Sequence, residues 1–176
     1  MNNNIVELPE LLLLNNYGGD YAQYIEAVYE IFKRDFVTNK TKFRGEVLKL
    51  KWHPIYQDKA YTFYHITHTG EDEQNRLPDL RRCERMPWTN PTIEKCDTWS
   101  LKIWPQQRQG KGGIKDRLCI WLELQNEPDY IVILEVRDNY KLLWTAFAPQ
   151  YPHEKRKKQK EYEVWLKTQK SPGRNS

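Results

Sequence analysis

The second half of the chain alternates apolar and polar residues over four short runs, a period-two pattern that is typical of β-strands. The runs are SLKIWP, DRLCIWLEL, YIVILEVR and YKLLWTAFAP. They are separated by QQRQGKGG, NEP and DN, which are short segments rich in turn residues. Because connections this short join antiparallel neighbours, the pattern predicts a largely antiparallel sheet of about four strands.

Alternation along a strand also assigns side chains to the two faces of the sheet. In the second run, one face receives Leu118, Ile120, Leu122 and Leu124, and the other receives Arg117, Cys119, Trp121 and Glu123. In the third run, Glu135 and Arg137 share a face. We therefore expect one face to be core and the other to be mixed, with the polar members of neighbouring strands on one surface.

Two segments place apolar residues at helical spacing. DYAQYIEAVYEIFKRDF predicts an amphipathic helix with Asp20 as its N-cap, and PHEKRKKQKEYEVWLKTQK predicts a basic helix that begins near Pro152. Residues 11–14 favour a short helix packed on the core; the alternative is a docking segment for a partner. The class is therefore α+β: an antiparallel sheet with N-terminal helices on one face and a C-terminal basic helix.

The segments between these elements have weaker patterns. GEVLKLKWHP alternates over residues 47–52 and predicts a strand, and KAYTFYHITHTG, rich in aromatic and β-branched residues, predicts a second strand or one that leads into a site. Pro78 predicts the start of a short helix on which Leu77, Leu80 and Cys83 face inward. A length of 176 residues suits one domain over residues 1–168. We divide it into an N-terminal helical segment (1–40) and a core (46–168), followed by a disordered tail (169–176).

Three cysteines, no CxxC pair and no zinc-binding spacing favour a reducing, cytoplasmic location. The apolar run near the start lacks a basic leader and is too short to span a bilayer, so we expect no export signal and no membrane association. His65 and His68 are three residues apart and would lie on opposite faces of a strand, which argues against a metal clamp. No nucleotide-binding or nucleophile-elbow motif is present, so the sequence predicts neither a metal nor a cofactor.

The net charge of +4 is unevenly distributed. Residues 1–144 hold 20 basic and 21 acidic residues, whereas residues 145–176 hold 8 and 3. The basic surplus at the C-terminal end makes a polyanionic partner plausible. The candidate contacts in this region are His153, Lys155, Arg156 and Lys157. Their position in the first turns of a helix, where the macrodipole disfavours cations, favours RNA phosphates as the partner; the alternative is a solvated helix face.

Arginines at 81, 82 and 85 form a second basic cluster on the short helix after Pro78. Like charges four residues apart repel each other, so Arg81, Arg82 and Arg85 gain most if a phosphate lies between them. The alternative is that Asp79 and Glu84 neutralise these arginines in surface ion pairs.

The histidines suggest proton transfer or packing. Near several arginines a histidine is biased toward its neutral form, which suits a general base, and His65 and His68 are the main candidates. A lone histidine beside aromatic residues is, however, more commonly a hydrogen-bonded structural residue. Seven tryptophans and eleven tyrosines are more rings than packing usually needs, so Trp104, Trp121 or Trp144 is a candidate for stacking on a base.

The closing pattern YIVILEVRDNYKLLWTAFAPQYPHEKRKKQKEYE, with an N-terminal helix and a four-stranded antiparallel sheet, resembles the barnase, EndoU, colicin and RelE-like (BECR) group of small ribonucleases. That group includes toxins of bacteria, plasmids and phages. The similarity covers residues 47–162 and is most specific at WTAF followed by the basic helix. The segment NRLPDLRRCERMPW is longer than a minimal member needs, and this leaves its role open.

The resemblance implies a metal-independent endoribonuclease that acts on the sheet face not covered by helices. The matching positions are His65, Arg117, Arg137 and Thr145, with His68 as a second possibility. The implied chemistry is attack of a ribose 2′-hydroxyl on the neighbouring phosphate, leaving a cyclic phosphate. The implied partners are RNA and an antitoxin or immunity protein. The alternative function is a non-catalytic RNA-binding or protein-interaction module.

Overall fold

Four long antiparallel strands form the centre of the protein, whose computed structural model describes residues 5–170. The helices are α1 (Tyr21–Phe32), α2 (Tyr61–Thr67), α3 (Leu80–Glu84), α4 (Met86–Glu94) and α5 (Pro152–Lys170). The strands are β1 (Lys42–Phe43), β2 (Glu46–Val47), β3 (His68–Thr69), β4 (Leu77–Pro78), β5 (Lys102–Gly110), β6 (Gly113–Leu122), β7 (Tyr130–Val136) and β8 (Lys141–Phe147). Short 3₁₀-helices lie at Leu14–Tyr17 and Glu73–Asn75, and a short π-helix spans Lys33–Thr38.

The main sheet has the strand order β5-β6-β7-β8, so each strand pairs with its neighbour in the chain. β5 and β6 are joined by a two-residue turn at Lys111 and Gly112, where Gly112 has a φ of 88° that suits glycine. The other two sheets, β1-β2 and β3-β4, are short hairpins. The predicted α+β class, the four strands and the C-terminal helix are therefore confirmed.

The two faces of the main sheet carry separate apolar clusters. On one face, Ile120, Leu122 and Val132 pack in the large cluster that also contains the buried residues of α1 and α4. The opposite face holds a smaller cluster, formed by Trp104, Cys119, Trp121, Ile131 and Ile133, on which Tyr162 and Trp165 of α5 pack. The N-terminal helices thus cover one face and α5 covers part of the other, so only the remainder of this second face is open.

The prediction of a strand over KAYTFYHITHTG is wrong, because residues 61–67 form α2 and only His68 and Thr69 are extended. All seven residues of α2 are buried, and the helix docks on β8. The prediction failed because α2 is buried on every side. A helix that is apolar all round shows no alternation of apolar and polar residues with the helical period. Its aromatic and β-branched residues favour a strand when local composition alone is considered. The predicted strand over residues 47–52 is also largely absent, since β2 ends at Val47 and Lys49 only bridges the edge of β8.

Near the N-terminus, the helix predicted for residues 11–14 is replaced by extended chain that leads into the turn Leu14–Tyr17. This segment nevertheless packs on the core: Tyr24 donates a hydrogen bond to the carbonyl of Leu12 (2.8 Å), and the indole of Trp88 donates to that of Pro9 (2.8 Å). The N-cap role of Asp20 is confirmed, since its carboxylate accepts a bond from the backbone N–H of Gln23 (3.2 Å).

Two other boundaries differ from the prediction. α3 begins at Leu80 with Asp79 as its N-cap, and of the three residues expected to face inward only Cys83 is buried, whereas Leu77 is 72% exposed. α5 begins at Pro152 as predicted but continues to Lys170, two residues into the expected tail. Residues 171–176 of that tail lie outside the described residues.

All three cysteines, Cys83, Cys96 and Cys119, are buried and free. Burial raises the pKa of the Cys83 and Cys119 thiols to about 12 in each case. In the part of the chain from residue 5 to residue 170, no helix combines the length and apolarity needed to cross a bilayer.

Candidate active site

His65 lies on α2 where this helix packs against β8. Its Nδ1 is 3.0 Å from the carbonyl oxygen of Trp144, and since a carbonyl only accepts, Nδ1 carries the proton and donates. This tautomer leaves the lone pair on Nε2, which has no hydrogen-bond partner among residues 5–170. The imidazole is 8% exposed and lies 4.8 Å from the Trp144 ring, centroid to centroid.

A bulge in β8 makes this arrangement possible. Ile133 pairs with Thr145 and Leu134 pairs with Leu143, so Trp144 is the extra residue between two regular pairs. A bulged residue is left out of the ladder, which frees the Trp144 carbonyl for His65 and turns its ring toward the open part of the sheet. Trp144 is half-buried there, with the guanidinium of Arg117 positioned 4.9 Å from its ring centroid.

Arg117 and Arg137 meet at the carboxylate of Glu135. Arg117 Nη2 lies 3.9 Å from Glu135 Oε2, and Arg137 forms a close ion pair with Oε1 of the same group. Glu135 is 2% exposed, so a buried carboxylate holds both guanidinium groups on one surface. Burial is also the main reason why the pKa of Arg117 is lowered from its ordinary value. The two arginines that the sequence placed on one face are therefore neighbours, and Arg117 reaches His65 through the Trp144 ring.

Thr145 contacts an arginine that the sequence had assigned to a separate cluster. Arg82 of α3 donates from Nη1 to Thr145 Oγ1 (3.1 Å), and its Nε lies 3.6 Å from Asp79. The same guanidinium lies 5.5 Å from the centroid of the Phe147 ring. Burial lowers the pKa of Arg82, a sign of a poorly hydrated cation with much to gain from an anionic ligand.

The environment of His65 keeps its imidazole neutral. Burial, followed by the positive charge of Arg76, lowers its pKa to about 4, and the hydrogen bond to Trp144 opposes this shift without cancelling it. Arg76 also donates to the carbonyl of His68 (3.3 Å), which fixes it between the two histidines. Above about pH 5, His65 therefore presents an unprotonated Nε2 beside several guanidinium groups.

The catalytic role predicted for His68 does not fit its position. His68 is 2% exposed, stacks on Tyr64 at 4.4 Å and pairs with β4. The Thr67 hydroxyl donates to the carbonyl of Phe63, so it accepts the proton of His68 Nδ1 (2.9 Å). The remaining Nε2 is buried without a partner within residues 5–170. This position suits a structural histidine; His68 had been proposed as a second candidate base because of the nearby arginines and the family resemblance.

The three arginines of the 81–85 cluster do not surround a common phosphate. Arg85 is 5% exposed, donates to the carbonyl of Arg81 (3.1 Å), lies 3.5 Å from Glu84 and covers the ring of Trp88. It is a packing residue, which corrects its assignment to RNA binding. For Arg82 and Arg85, the ion pairs that formed the alternative interpretation are present.

The basic residues of α5 also divide into anchored and exposed groups. Lys155 forms an ion pair with the buried carboxylate of Asp129 (2.9 Å), so its ammonium group is already engaged. Arg156 and Lys157 are exposed, with no ion pair within residues 5–170, and His153 is exposed and stacks on Tyr151 at 5.6 Å. Of the three tryptophans predicted to stack on a base, Trp104 and Trp121 are buried under α5, and Trp144 is the one that lies at the candidate site.

Sequence reasoning did not assign two residues, Glu135 and Arg76, to the candidate site. Glu135 had been placed on the face of Arg137, and a carboxylate two residues from an arginine on one strand was the available signal for their pairing. Arg76 lies in the turn before β4, where no pattern distinguishes it. Within residues 5–170, no three His, Cys, Asp or Glu side chains are grouped so that they could hold a metal ion.

No family model, curated protein or solved structure matches this chain. The resemblance to the BECR ribonucleases therefore stays a prediction, and we infer the function from the geometry of the candidate site.

Proposed function

We propose that the protein is a toxin-like endoribonuclease that cleaves RNA without a metal ion. The observation that carries the proposal is the arrangement of His65: its tautomer is fixed by Trp144, its Nε2 is unprotonated and unpartnered within residues 5–170, and Arg117 lies across the Trp144 ring. A neutral imidazole next to guanidinium groups has the two functions that transesterification of RNA requires, a base and a site for negative charge.

In the proposed reaction, His65 Nε2 accepts the proton of a ribose 2′-hydroxyl. The 2′-oxygen then forms a bond to the adjacent phosphorus, the bond from phosphorus to the 5′-oxygen breaks, and that oxygen takes up a proton from solvent. The products are a 2′,3′-cyclic phosphate and a free 5′-hydroxyl. The negative charge that develops on the phosphoryl oxygens is stabilised by guanidinium donors, each worth about 3 to 4 kcal/mol when well placed.

Arg117, Arg137 and Arg82 are the candidate donors, and their charges are partly balanced by protein carboxylates. Glu135 offsets one of the two charges of Arg117 and Arg137, so this triad keeps a net charge of +1. That residual charge matches one phosphodiester. Arg156 and Lys157 of α5 would bind the RNA backbone and contribute to affinity, because they lie on a separate exposed helix surface.

A cytoplasmic location and an inhibitory partner belong to the same proposal. Three buried, free thiols are compatible with a reducing compartment, and an endoribonuclease there would damage its host unless an antitoxin or immunity protein held it in check. Co-expression with the product of a neighbouring small open reading frame tests this partner, which is expected to restore growth of cells that express the protein.

The central experiment is incubation of the purified chain with total RNA in EDTA. Wild type is expected to cleave, His65→Ala and Arg137→Ala are expected to abolish cleavage, and neutralising Arg156 and Lys157 is expected to weaken it. Analysis of the product ends should find a cyclic phosphate. Cleavage that requires Mg²⁺ would contradict the mechanism, and full activity of His65→Ala would contradict the assignment of the base.

A second candidate function is a non-catalytic RNA-binding module, and the low exposure of His65 favours it. A histidine that is 8% exposed and hydrogen-bonded to Trp144 also serves packing. In that case wild type and all variants would retain intact RNA, and only the arginine and lysine variants would lose affinity.

A further inference from the structure

A cavity of about 280 Å³ lies beside the candidate active site, at the far side of Arg82. It is formed where α3, the end of β8 and the start of α5 converge. The lining residues that matter for its chemistry are Asp79, Arg81, Arg82, Phe147, Gln150 and Glu154. The volume is at the small end of ligand pockets, which begin at roughly 300 Å³, so it suits a group of the size of a single base.

The cavity is one step along β8 from the proposed reaction centre. Thr145 and Phe147 are two residues apart on the same face of the strand, a separation of roughly 7 Å. Arg82 joins the two positions, because it donates to Thr145 and its guanidinium lies 5.5 Å from the Phe147 ring. A nucleotide that follows or precedes a phosphate bound at Arg82 would therefore place its base in this cavity.

The charges of the lining residues favour a neutral ligand. Arg81 and Arg82 are offset by Asp79 and Glu154, so the cavity has no net charge that would attract a second phosphate. Both carboxylates are already acceptors: Asp79 caps the N–H of Arg82 (3.3 Å), and Glu154 accepts from Gln150 N–H (2.8 Å) and from Tyr151 N–H. The side chains of Gln150 and Arg81 are left for a ligand, and the guanidinium of Arg81 is the charged group among the lining residues that has no ion pair or acceptor within residues 5–170.

We propose that this cavity binds guanine, and that Arg81 sets the base preference of the proposed ribonuclease. The inference rests on the proposed function, since it assumes an RNA substrate. The Arg81 guanidinium presents parallel N–H donors and no acceptor, and it is complementary to a base edge with two adjacent acceptors. Guanine has such an edge in O6 and N7, whereas adenine pairs an acceptor with a donor there. The half-buried Phe147 ring supplies an apolar wall for the base.

The test separates binding from cleavage by using short single-stranded RNAs with 2′-O-methyl riboses, in which the attacking hydroxyl is blocked. Four oligonucleotides that differ at one nucleotide (G, A, C or U) are titrated into the full chain, with fluorescence anisotropy as the readout. We expect the guanine form to bind roughly 5- to 100-fold more tightly than the others. Arg81→Ala and Arg81→Lys are both expected to abolish the preference, and the lysine variant keeps the charge and hence most of the affinity.

Lys42→Ala is the matched control, because Lys42 is exposed on β1, which contacts α4, and its loss changes the net charge by the same amount. This variant should retain the guanine preference. Unfolding midpoints of all variants establish that they fold. Equal binding of the four oligonucleotides, no binding, or a preference that persists in both Arg81 variants would overturn the subsite. A guanine preference that depends on Arg81, in a protein that leaves natural RNA intact, would support the subsite and overturn the ribonuclease.

Discussion

His65 Nδ1 donates a 3.0 Å hydrogen bond to the carbonyl oxygen of Trp144, and this bond joins α2 to the bulge of β8. It sets the tautomer of the histidine that lies near Arg76 and Arg82 and beside the ring covered by Arg117. The imidazole is therefore oriented by a backbone group, which has no proton of its own to exchange. This is the role that a buried carboxylate has in many catalytic histidine pairs, without the added negative charge that would raise the pKa of the imidazole.

The first prediction concerns the pH dependence of RNA cleavage. Because burial and Arg76 lower the pKa of His65 to about 4, the base form is present at neutral pH and kcat/KM should be flat from about pH 5 upward and fall below pH 4. Arg76→Ala removes one cause of the lowered pKa and should move this inflection to higher pH. Arg44→Ala, which breaks an exposed pair with Asp97, is the control and should leave the inflection in place. An inflection near pH 6.5 in wild type would contradict the assignment.

The second prediction concerns stability in mild acid. His65 and His68 have pKa values of about 4 in the folded protein, below the ordinary 6.5, so protonation favours the unfolded chain. Their contribution is complete above pH 6.5 and is lost as the pH falls toward 4, by up to about 3 kcal/mol for each histidine. Urea unfolding at pH 7.5 and 4.5 measures it: His68→Gln should show a smaller drop than wild type. His153→Gln, at an exposed position, should show the same drop as wild type.

The third prediction concerns the carboxylate between the two arginines. Glu135→Gln removes the charge that Arg117 and Arg137 share, so two guanidinium groups are left close together. We expect a loss of about 2 kcal/mol in the free energy of unfolding, less than for a fully buried pair because Arg137 is partly exposed. Cleavage should also decrease, since the arginines lose their common orientation. Glu46→Gln breaks a more exposed pair with Lys141 and serves as the control, with little expected change.

The fourth prediction concerns the different roles of Lys155 and Lys157, two lysines of α5 that are separated by one residue. Lys155→Ala leaves the buried Asp129 carboxylate without its ammonium partner and should lower stability by about 1 kcal/mol, with heat denaturation as the measurement. Lys157→Ala should leave stability unchanged and reduce the slope of log K against log salt for RNA binding by about 0.7 to 0.9 per lost phosphate contact. The reverse pattern would show that Lys155 is the RNA contact.

The main sheet and α1 were predictable because their sequence signals are local and agree with each other. Period-two alternation and short turns indicated the four strands, and the N-cap at Asp20 indicated the start of α1. Strand parity also brought Arg117 and Arg137 to one surface, since Arg117 pairs with Glu135 and Arg137 lies two residues after Glu135, directly beyond the end of β7. Parity needs only the strand assignment to be right, and this part of the candidate site was therefore accessible from the sequence.

The rest of the candidate site depends on contacts between distant residues. No local pattern predicts that Trp144 is bulged, that Arg82 of α3 reaches Thr145, or that Lys155 pairs with Asp129. The segment that forms α2 was predicted as a strand, and the contacts that bury His68 just after this helix are likewise not visible in any local pattern. Tertiary packing decided each of these cases, and propensity alone is a weak guide where every side chain is buried.

The second apolar cluster makes α5 an energetic unit distinct from the rest of the molecule. Tyr162 and Trp165 pack on a small group of sheet residues, and the larger cluster on the opposite face does not depend on them. If α5 detached locally from the sheet, water would reach the indoles of Trp104 and Trp121, while the larger cluster on the opposite face would remain packed. Amide protons of α5 are therefore expected to exchange with deuterium ahead of those in β6 and β7, and a bound polyanion would slow that exchange by clamping the helix onto the strands beneath it.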